Sequence, residues 1–350
     1  MRSDEPTRLA NIIASLFRDQ STETEQIVVD ERSTVDLIAG ADAQDDCAVF
    51  RLSGEHELVV GSDYVRGTKF RLYEMGHLSE YNLGYYLVAA NLSDIAAMGA
   101  HPIGLLSVVR YPSDMSDESF ESIMQGIKDA CTRFRCPNIG GDIGSAERLI
   151  LSASALGTCR RGTALFRSGA KLGDLVCITA PTGLAGAAMD YLRAKKPSPT
   201  VDNLHLDTML DSWRYPSARV DEGIALAASR RVTSCQDTSD GLKATIECIA
   251  SASGVGITVF EDSVPVPASV AAVARHLGLD PFVFVFGDSV DFELTFTAPP
   301  DAVDQLRKQM ALHVIGEVTD SGEVLLRRSD GSHASLPGEA WRHAPEEVGR

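Results

Sequence analysis

Residues 79–111, SEYNLGYYLVAANLSDIAAMGAHPIGLLSVVRY, contain the pattern that decides the fold. Their first part predicts a helix over about 79–98, because Ser79 is a favourable N-cap and Gly99 a favourable C-terminal stop. The apolar run at 103–111 then predicts a strand. A long helix followed directly by a buried strand indicates a fold in which helices pack on sheets.

Helix and strand signals continue on both sides of this stretch without strict alternation. Strands are predicted at 47–52, 57–64, 149–159, 175–180, 256–261, 291–298, 314–318 and 323–327, and helices at 117–134, 183–195, 219–229, 241–252, 267–277 and 301–313. Residues 137–144, PNIGGDIG, are predicted as a loop, and 195–207 as a mobile surface insertion. Since strands outnumber the connecting helices, we expect an α+β fold with mixed sheets. The basic segment 160–174 marks a boundary between domains at 1–160 and 161–350.

Charge and composition exclude several classes of partner. The 350 residues include 49 acidic and 32 basic side chains, a formal charge of −17, so neither nucleic acid nor an anionic membrane is expected to bind. No run of about 18 apolar residues occurs, and residues 1–17 have the acids and Pro6 of a helix start rather than the regions of a signal peptide. The odd number of cysteines, seven, and the lack of a C-x-x-C pair predict reduced thiols in a cytoplasmic protein.

The common catalytic motifs are missing from the sequence. It contains no G-x-x-x-x-G-K-[ST], H-E-x-x-H or G-x-S-x-G, and its G-x-G at Gly254 and Gly256 follows a predicted helix rather than a strand. P-loop, dinucleotide-binding, zinc-hydrolase and serine-hydrolase classes are therefore not expected.

The sequence instead contains aspartates at positions where a purely structural role does not explain a carboxylate. Asp94 falls on the apolar stripe of the helix 79–98, in register with Leu83, Leu87 and Ala90. A carboxylate in that position must be paired or bound to a cation, and an internal cap or a buried salt bridge is the alternative.

More aspartates lie among small residues near predicted strand ends: Asp45, Asp46, Asp63, Asp142, Asp237, Asp240, Asp288 and Asp291. Each alone is compatible with a turn. Together, several ionised carboxylates in one cleft favour a divalent cation, and without neighbouring His or Cys that cation is Mg²⁺, with phosphates completing its shell. Gly140 and Gly141 would let backbone amides approach a phosphate, while Arg167 and Lys171 would add positive charge or form a solvated pair at the domain crossing.

Five motifs in fixed order resemble the thiamine-monophosphate kinases: NLSDIAAMGAHPIG (91–104), NIGGDIG (138–144), LFRSGAKLGDLVCIT (165–179), DTSDGL (237–242) and DFELTF (291–296). Their superfamily also contains aminoimidazole ribonucleotide synthetase, selenophosphate synthetase and a hydrogenase maturation protein. The resemblance implies a two-domain aminoimidazole ribonucleotide synthetase-like α+β fold with mixed sheets and an N-terminal dimer barrel, hence a homodimer. It also implies transfer of a phosphoryl group from ATP, with Mg²⁺, to a small phosphate or hydroxyl acceptor.

The same resemblance implies roles for individual residues. The positions that match the Mg²⁺ ligands are Asp46, Ser62, Asp63, Asp94, Asp142, Asp237 and Asp240. Those expected at ATP are Gly141, Asp142, Arg167 and Ser239, and those expected to take part in catalysis are Asp142, Asp240 and Arg167. Lys69, Asp288 and Trp341 are expected on the acceptor side.

The acceptor positions depart from the family pattern. Lys69 stands where a substrate-contacting His is expected, the substrate-side Glu aligns with Val290 or Asp288, and the family's G-D-D is Gln44-Asp45-Asp46. The leading hypothesis is a kinase acting on thiamine monophosphate, weakly, or on another small metabolite. The alternatives are a non-kinase ATP-dependent synthetase or ligase of the superfamily and a catalytically silent nucleotide-binding paralogue.

Overall fold

The computed structural model describes residues 26–30, 33–40, 45–52, 54–65, 68–194 and 201–339. The sequence expectations for a helix start in 1–17, for Gln44 and for Trp341 lie outside these residues. Within them, the chain forms two halves, each with a mixed sheet covered by helices. No helix in these ranges reaches the length and hydropathy needed to cross a membrane.

The first half contains these elements within the described ranges: β1 (Gln26–Asp30), β2 (Ser33–Ala39), β3 (Ala48–Arg51), β4 (His56–Tyr64), α1 (Thr68–Glu74), α2 (Glu80–Ala97), β5 (His101–Tyr111), α3 (Asp117–Arg133), β6 (Asn138–Ser145) and β7 (Ile150–Arg160). The sheet order is β1-β2-β3-β4-β7-β5-β6. All neighbours are antiparallel except β5 and β6, which are joined by α3 as a crossover helix. The predicted helices at 79–98 and 117–134 and the four predicted strands of this half are confirmed, whereas β1, β2 and α1 were not predicted.

The prediction of a loop at 137–144 is wrong. This stretch is the edge strand β6, paired in parallel with β5. Its glycines favoured the loop prediction, but the strand needs them, since Gly140 and Gly141 have φ of +148° and +145°. A Cβ on Gly141 would lie 1.7 Å from the carbonyl oxygen of Ser107, so only glycine lets the two strands approach.

The second half contains these elements within the described ranges: β8 (Leu175–Ile178), α4 (Leu184–Ala194), α5 (Asn203–Arg214), α6 (Val220–Ser229), β9 (Ser234–Asp237), α7 (Leu242–Ser253), β10 (Gly256–Phe260), a 3₁₀ turn (Glu261–Ser263), α8 (Ala268–Leu277), α9 (Phe282–Phe286), β11 (Leu294–Ala298), α10 (Pro300–Leu306), β12 (His313–Thr319), β13 (Val324–Arg327) and β14 (His333–Ala334). The sheet order is β14-β13-β10-β12-β8-β11-β9, with β10 and β13 parallel. The predicted mixed α+β architecture is confirmed.

The predicted surface insertion at 195–207 is wrong in its described part. Asp202 caps the N-terminus of α5 by accepting a hydrogen bond from the amide of His205 at 2.9 Å, and the helix then buries Met209, Leu210 and Trp213. The polar residues that suggested an insertion belong to a capped helix start. The apolar run of α9 was not predicted either, because a short apolar run has no helical or strand periodicity to read.

Helix α2 is the central element that joins the two halves. It begins with a capping box between Ser79 and Asn82, and its residues are buried on nearly every side. It packs against β4 and β7 of the first sheet, against α3, and against α6 and β9 of the second half. Contact with α3 is backbone to backbone, since a Cβ on Gly84 would lie 2.1 Å from the carbonyl oxygen of Ile123. The last turn of α2 contacts the second half directly, since a Cβ on Gly223 of α6 would lie 2.1 Å from the carbonyl oxygen of Ala96.

Candidate active site

Three aspartates from separate elements meet where the two halves touch. Asp46 precedes β3, Asp94 lies in the last turn of α2, and Asp237 ends β9. One carboxylate oxygen from each lies within 4.8 Å of those of the other two. We call Asp46, Asp94 and Asp237 the carboxylate trio. The packing of α2 against β9 creates it, because that contact places Asp94 beside Asp237.

Hydrogen bonds hold two members of the trio in place. Arg167 donates from Nη2 to Oδ1 of Asp46 at 2.5 Å, and its backbone amide donates to Asp45 at 3.2 Å. Ser93 donates from Oγ to Oδ2 of Asp237 at 2.5 Å. The second carboxylate oxygen of Asp46, Oδ2, is buried and has no hydrogen-bond partner among the described residues. An unpartnered buried carboxylate oxygen is costly unless a cation binds it.

Burial and mutual repulsion perturb the acids of this cluster. Burial, then the charges of Asp237, Asp46 and Asp63, raise the pKa of Asp94 well above its usual value. Burial and the charge of Asp46 raise the pKa of Asp237 to about 7. Burial also raises the pKa of Asp46, against the opposing effect of Arg167. Burial and mutual repulsion therefore disfavour three ionised carboxylates at this place unless a cation compensates their charge.

The donor set of the trio fits Mg²⁺. It offers carboxylate oxygens only, among which Oδ2 of Asp46 is unpartnered, and no His or Cys ligand belongs to the cluster among the described residues. Hard oxygen donors of this type suit Mg²⁺, which keeps several positions for water and substrate phosphates.

The structure places the other predicted metal ligands differently. Asp63 lies on β4 close enough for its charge to raise the pKa of Asp94. Ser62 precedes it on the strand, so its side chain points to the opposite sheet face, where its Oγ donates to the carbonyl oxygen of Ala153 at 2.8 Å. Asp240 is exposed on the loop between β9 and α7.

Asp142 is not brought to the trio in this chain. It lies with Gly141 on the exposed edge strand β6, and its carboxylate pairs with Arg110 of β5. Strands β7 and β5 separate β6 from β4, the strand of Asp63. The metal, ATP and catalytic roles expected for Asp142, and the ATP contact expected for Gly141, stay predictions.

A cavity of about 600 Å³ opens beside Arg167, and Asp45 is among its lining residues. Apolar and small side chains complete the lining, among them Ile38, Phe166, Cys248 and Ser251. Its size is in the range of small-molecule and cofactor sites. Arg167 thus lies between this cavity and the trio, while Ser239 donates to Oδ1 of Asp237 at 3.1 Å.

The residues expected on the acceptor side lie on different elements. Asp288 is exposed on the segment between α9 and β11. Lys69 belongs to the first turn of α1, and its side chain lies outside the described part, as does all of Trp341. Their roles at the acceptor stay predictions.

Sequence reasoning missed a buried ion pair that supports the loop after Asp237. Arg219 donates to both carboxylate oxygens of Glu293, at 2.5 and 2.7 Å, and Thr179 donates to the same carboxylate at 2.6 Å. The amide of Glu293 in turn donates to Oγ1 of Thr238 at 2.9 Å. No spacing in the sequence relates Arg219 to Glu293, so only folding shows this link. Ser93 was missed too, although its place beside Asp94 in NLSDI was the available signal.

Two family models match the chain: AIR synthase related protein, N-terminal domain, at 44–159, and AIR synthase related protein, C-terminal domain, at 171–327. The thiamine-monophosphate kinase of Pyrococcus abyssi is 32% identical over 246 residues, which cover 70% of this chain and 74% of that protein. The chain belongs to the thiamine-monophosphate kinase family of AIR synthase related proteins.

Matches to other relatives and to a solved structure cover more of the chain. The thiamine-monophosphate kinase of Synechococcus elongatus is 31% identical over 312 residues, which cover 85% of this chain and 90% of that kinase. Among solved structures, AaThiL complexed with AMPPCP and TMP has a TM-score of 0.74 at 24% identity and covers 86% of this chain and 91% of its own. The fold and the family predicted from the motifs are confirmed.

Proposed function

We propose that this protein is an ATP-dependent kinase that phosphorylates thiamine monophosphate, giving ADP and thiamine diphosphate. The observation that carries the proposal is the buried carboxylate trio beside Arg167 and a cavity of about 600 Å³, in a chain whose curated relatives are thiamine-monophosphate kinases. Phosphoryl transfer depends on positioning and on neutralising phosphate charge, and this site has charged groups for both and needs no nucleophilic side chain.

We assign Asp46, Asp94 and Asp237 as the residues that would hold Mg²⁺. When bound, the ion would neutralise charge on the phosphates of the nucleotide. Asp63 on β4 would add a further carboxylate beside Asp94, and Asp240 would reach the phosphates from the loop that follows Asp237. The roles of Ser62 and Asp142 as ligands remain predictions.

Arg167 would bind a phosphate of the nucleotide at the edge of the cavity. Its backbone amide is fixed by Asp45 and its guanidinium is oriented by Asp46. A phosphate that enters the cavity would meet this guanidinium at the cavity edge, while the apolar lining contributed by Ile38 and Phe166 would contact the less polar part of the nucleotide.

The acceptor phosphate is already anionic, so its attack on ATP needs no general base from the protein. Thiamine monophosphate also carries a positively charged thiazolium ring, which lies between its phosphate group and its aminopyrimidine. The exposed carboxylate of Asp288 complements that charge. Lys69, a permanent cation, would instead suit the acceptor phosphate.

We also propose two features of the assembly. The domains divide near residue 160, where β7 ends at Arg160 and between the ranges matched by the two family models. A homodimer would cover the edge strand β6, whose Ile139 and Ile143 side chains are 55% and 53% exposed. An unpaired edge with apolar side chains favours association with a second copy. The cytoplasmic location stays a prediction.

The decisive experiment is mass spectrometry of products formed from ATP and thiamine monophosphate, with other phosphate- and hydroxyl-bearing metabolites in parallel. A product heavier by one phosphoryl group supports the kinase, and Asp94→Asn should abolish it. Lys69→Ala should raise the KM for the acceptor and leave the KM for ATP nearly unchanged. Turnover of another acceptor alone would show a changed substrate, and ATP binding without any product would favour a silent paralogue.

A further inference from the structure

Lys243 joins the last described segment of the chain to helix α7. Its ammonium donates to the carbonyl oxygens of Leu336 at 3.0 Å and Gly338 at 3.1 Å. Both carbonyls belong to residues 335–339, which follow β14 and contain no helix or strand. We call 335–339 the C-terminal segment. Two of the three donors of the lysine are thus used to hold a stretch with no sheet or helix hydrogen bonds of its own.

Three backbone segments touch at this point. A Cβ on Gly241, at the start of α7, would lie 2.0 Å from the carbonyl oxygen of Gly287. A Cβ on Gly338 would lie 2.9 Å from the Cα of the same Gly287. The loop before α7, the turn after α9 and the C-terminal segment are therefore stacked without intervening side chains.

One of these three segments, the loop before α7, follows directly from the carboxylate trio in the chain. Asp237 leads into the loop before α7, which carries the exposed Asp240, and Gly287 is followed directly by the exposed Asp288. Toward the opposite end of α7, Cys248 and Ser251 line the cavity beside Arg167. The two ends of α7 thus face different neighbours, the cavity at one end and the C-terminal segment at the other.

We propose that Lys243 is a positioning residue that holds the C-terminal segment as one wall of the acceptor side. The inference rests on the proposed function, since it assigns the cavity end of α7 to the nucleotide and the Lys243 end to the second substrate. The exposed Asp288, which follows Gly287 directly, would form another wall. Loss of the ammonium would release the segment and loosen acceptor binding without disturbing the nucleotide site.

The test uses Lys243→Met, which keeps the approximate length of the side chain but removes its donors. Lys243→Arg, which keeps donors, is the conservative variant. Lys308→Met, at an exposed position after α10, is the control. Two quantities are measured for the full chain: amide hydrogen exchange of Ser335, Leu336, Gly338 and Glu339, and the KM values for thiamine monophosphate and ATP. We expect Lys243→Met to speed exchange in the segment, to raise the acceptor KM about tenfold and to leave the ATP KM within about twofold. Lys243→Arg should restore most of the acceptor KM, and Lys308→Met should match the wild type.

Faster exchange with an unchanged acceptor KM would overturn the inference, because the segment would then be held by Lys243 without contributing to acceptor binding. Equal increases in both KM values, or exchange that does not change, would overturn it as well. A wild type that binds ATP but never turns over thiamine monophosphate would refute the proposed function, and with it the assignment of this wall. Lys243→Met with the wild-type acceptor KM in an active enzyme would refute the inference alone.

Discussion

Arg167 of the second half donates a hydrogen bond from Nη2 to Oδ1 of Asp46, in the first half, at 2.5 Å. The Asp46 side chain is 2% exposed and that of Arg167 is 24% exposed, so water screens this ion pair weakly. The pair joins the two sequence regions that form the candidate active site. It also orients the one guanidinium that lies between the cavity and the carboxylate trio in the described part of the chain.

Arg167→Met should lower the free energy of unfolding by about 3–5 kcal/mol, because it leaves the buried Asp46 carboxylate without its counter-ion. Urea denaturation measures the loss. Arg193→Met is a matched control, since Arg193 pairs with Asp190 at an exposed site, where the expected cost is below about 1 kcal/mol. Adding Asp46→Asn to Arg167→Met should recover part of the loss. A cost for Arg167→Met equal to that of the control would show that the ion pair contributes nothing.

Asp94→Asn should raise the melting temperature of the metal-free protein at pH 8, because burial and the neighbouring carboxylates, which raise the pKa of Asp94, destabilise the folded state and Asn removes that cost. The same variant should lose the stabilisation that Mg²⁺ gives to the wild type. Thermal unfolding with and without Mg²⁺ measures both effects, and Asp190→Asn at an exposed position is the control. An Mg²⁺-dependent shift of wild-type size in Asp94→Asn would exclude the trio as the metal site.

Asp142→Asn tests the position for which sequence and structure differ most. The motif predicts that this variant weakens nucleotide binding in the presence of Mg²⁺. Calorimetric titration with a non-hydrolysable ATP analogue, with and without chelator, measures the Kd. Arg110→Met serves as the companion variant because Arg110 pairs with Asp142 in this chain. A Kd equal to that of the wild type would place Asp142 outside the nucleotide and metal site.

The stability of the protein should depend on pH through Asp291. Burial raises its pKa to about 7 from a usual value of 3.8, although the amide of Gly183 donates to its carboxylate at 2.9 Å. Between these pH values the folded state binds a proton that the unfolded state has lost, so the free energy of unfolding falls as pH rises from about 4 to 7. This group lowers the free energy of unfolding by on the order of 4 kcal/mol over this range, and the loss is constant above pH 7.

Asp291→Asn keeps an oxygen acceptor for Gly183 and cannot titrate. Its free energy of unfolding should therefore fall less steeply between pH 4 and 7 than that of the wild type, while Asp45 and Asp237, whose pKa values are raised to about 6 and about 7, retain their own contributions. Urea denaturation across this pH range provides the comparison. Identical slopes for the two proteins would contradict the assignment.

Ile143→Lys should dissociate the proposed homodimer, because it places a charge on the exposed edge strand β6. Light scattering at micromolar concentration should give twice the 37.5 kDa chain mass for the wild type and the single-chain mass for the variant. Leu204→Lys, at a position on α5 that is 73% exposed, is the control and should stay dimeric. A monomeric wild type would contradict the dimer itself.

Local pattern was sufficient to predict most helices and strands of this protein. Ser79 and Gly99 bound α2 in the sequence as they do in the structure, because capping depends on neighbouring residues only. The helix predicted at 117–134 is confirmed as α3, and in the structure Ser116 is its N-cap. Where the pattern was ambiguous the prediction failed: the glycines of β6 suggested a loop, and the five apolar residues of α9 had no readable period.

The sequence by itself determined that Asp94 would lie on a buried helix face, since the spacing of apolar residues along one helix is a local property. It also determined the family, through five motifs in fixed order. Only the tertiary structure decided which carboxylates meet. Asp46, Asp94 and Asp237 are far apart in the chain and converge because α2 packs against β9, whereas Asp142 follows the edge strand away from them and pairs with Arg110. Strand order and helix packing, which no local pattern encodes, place these side chains.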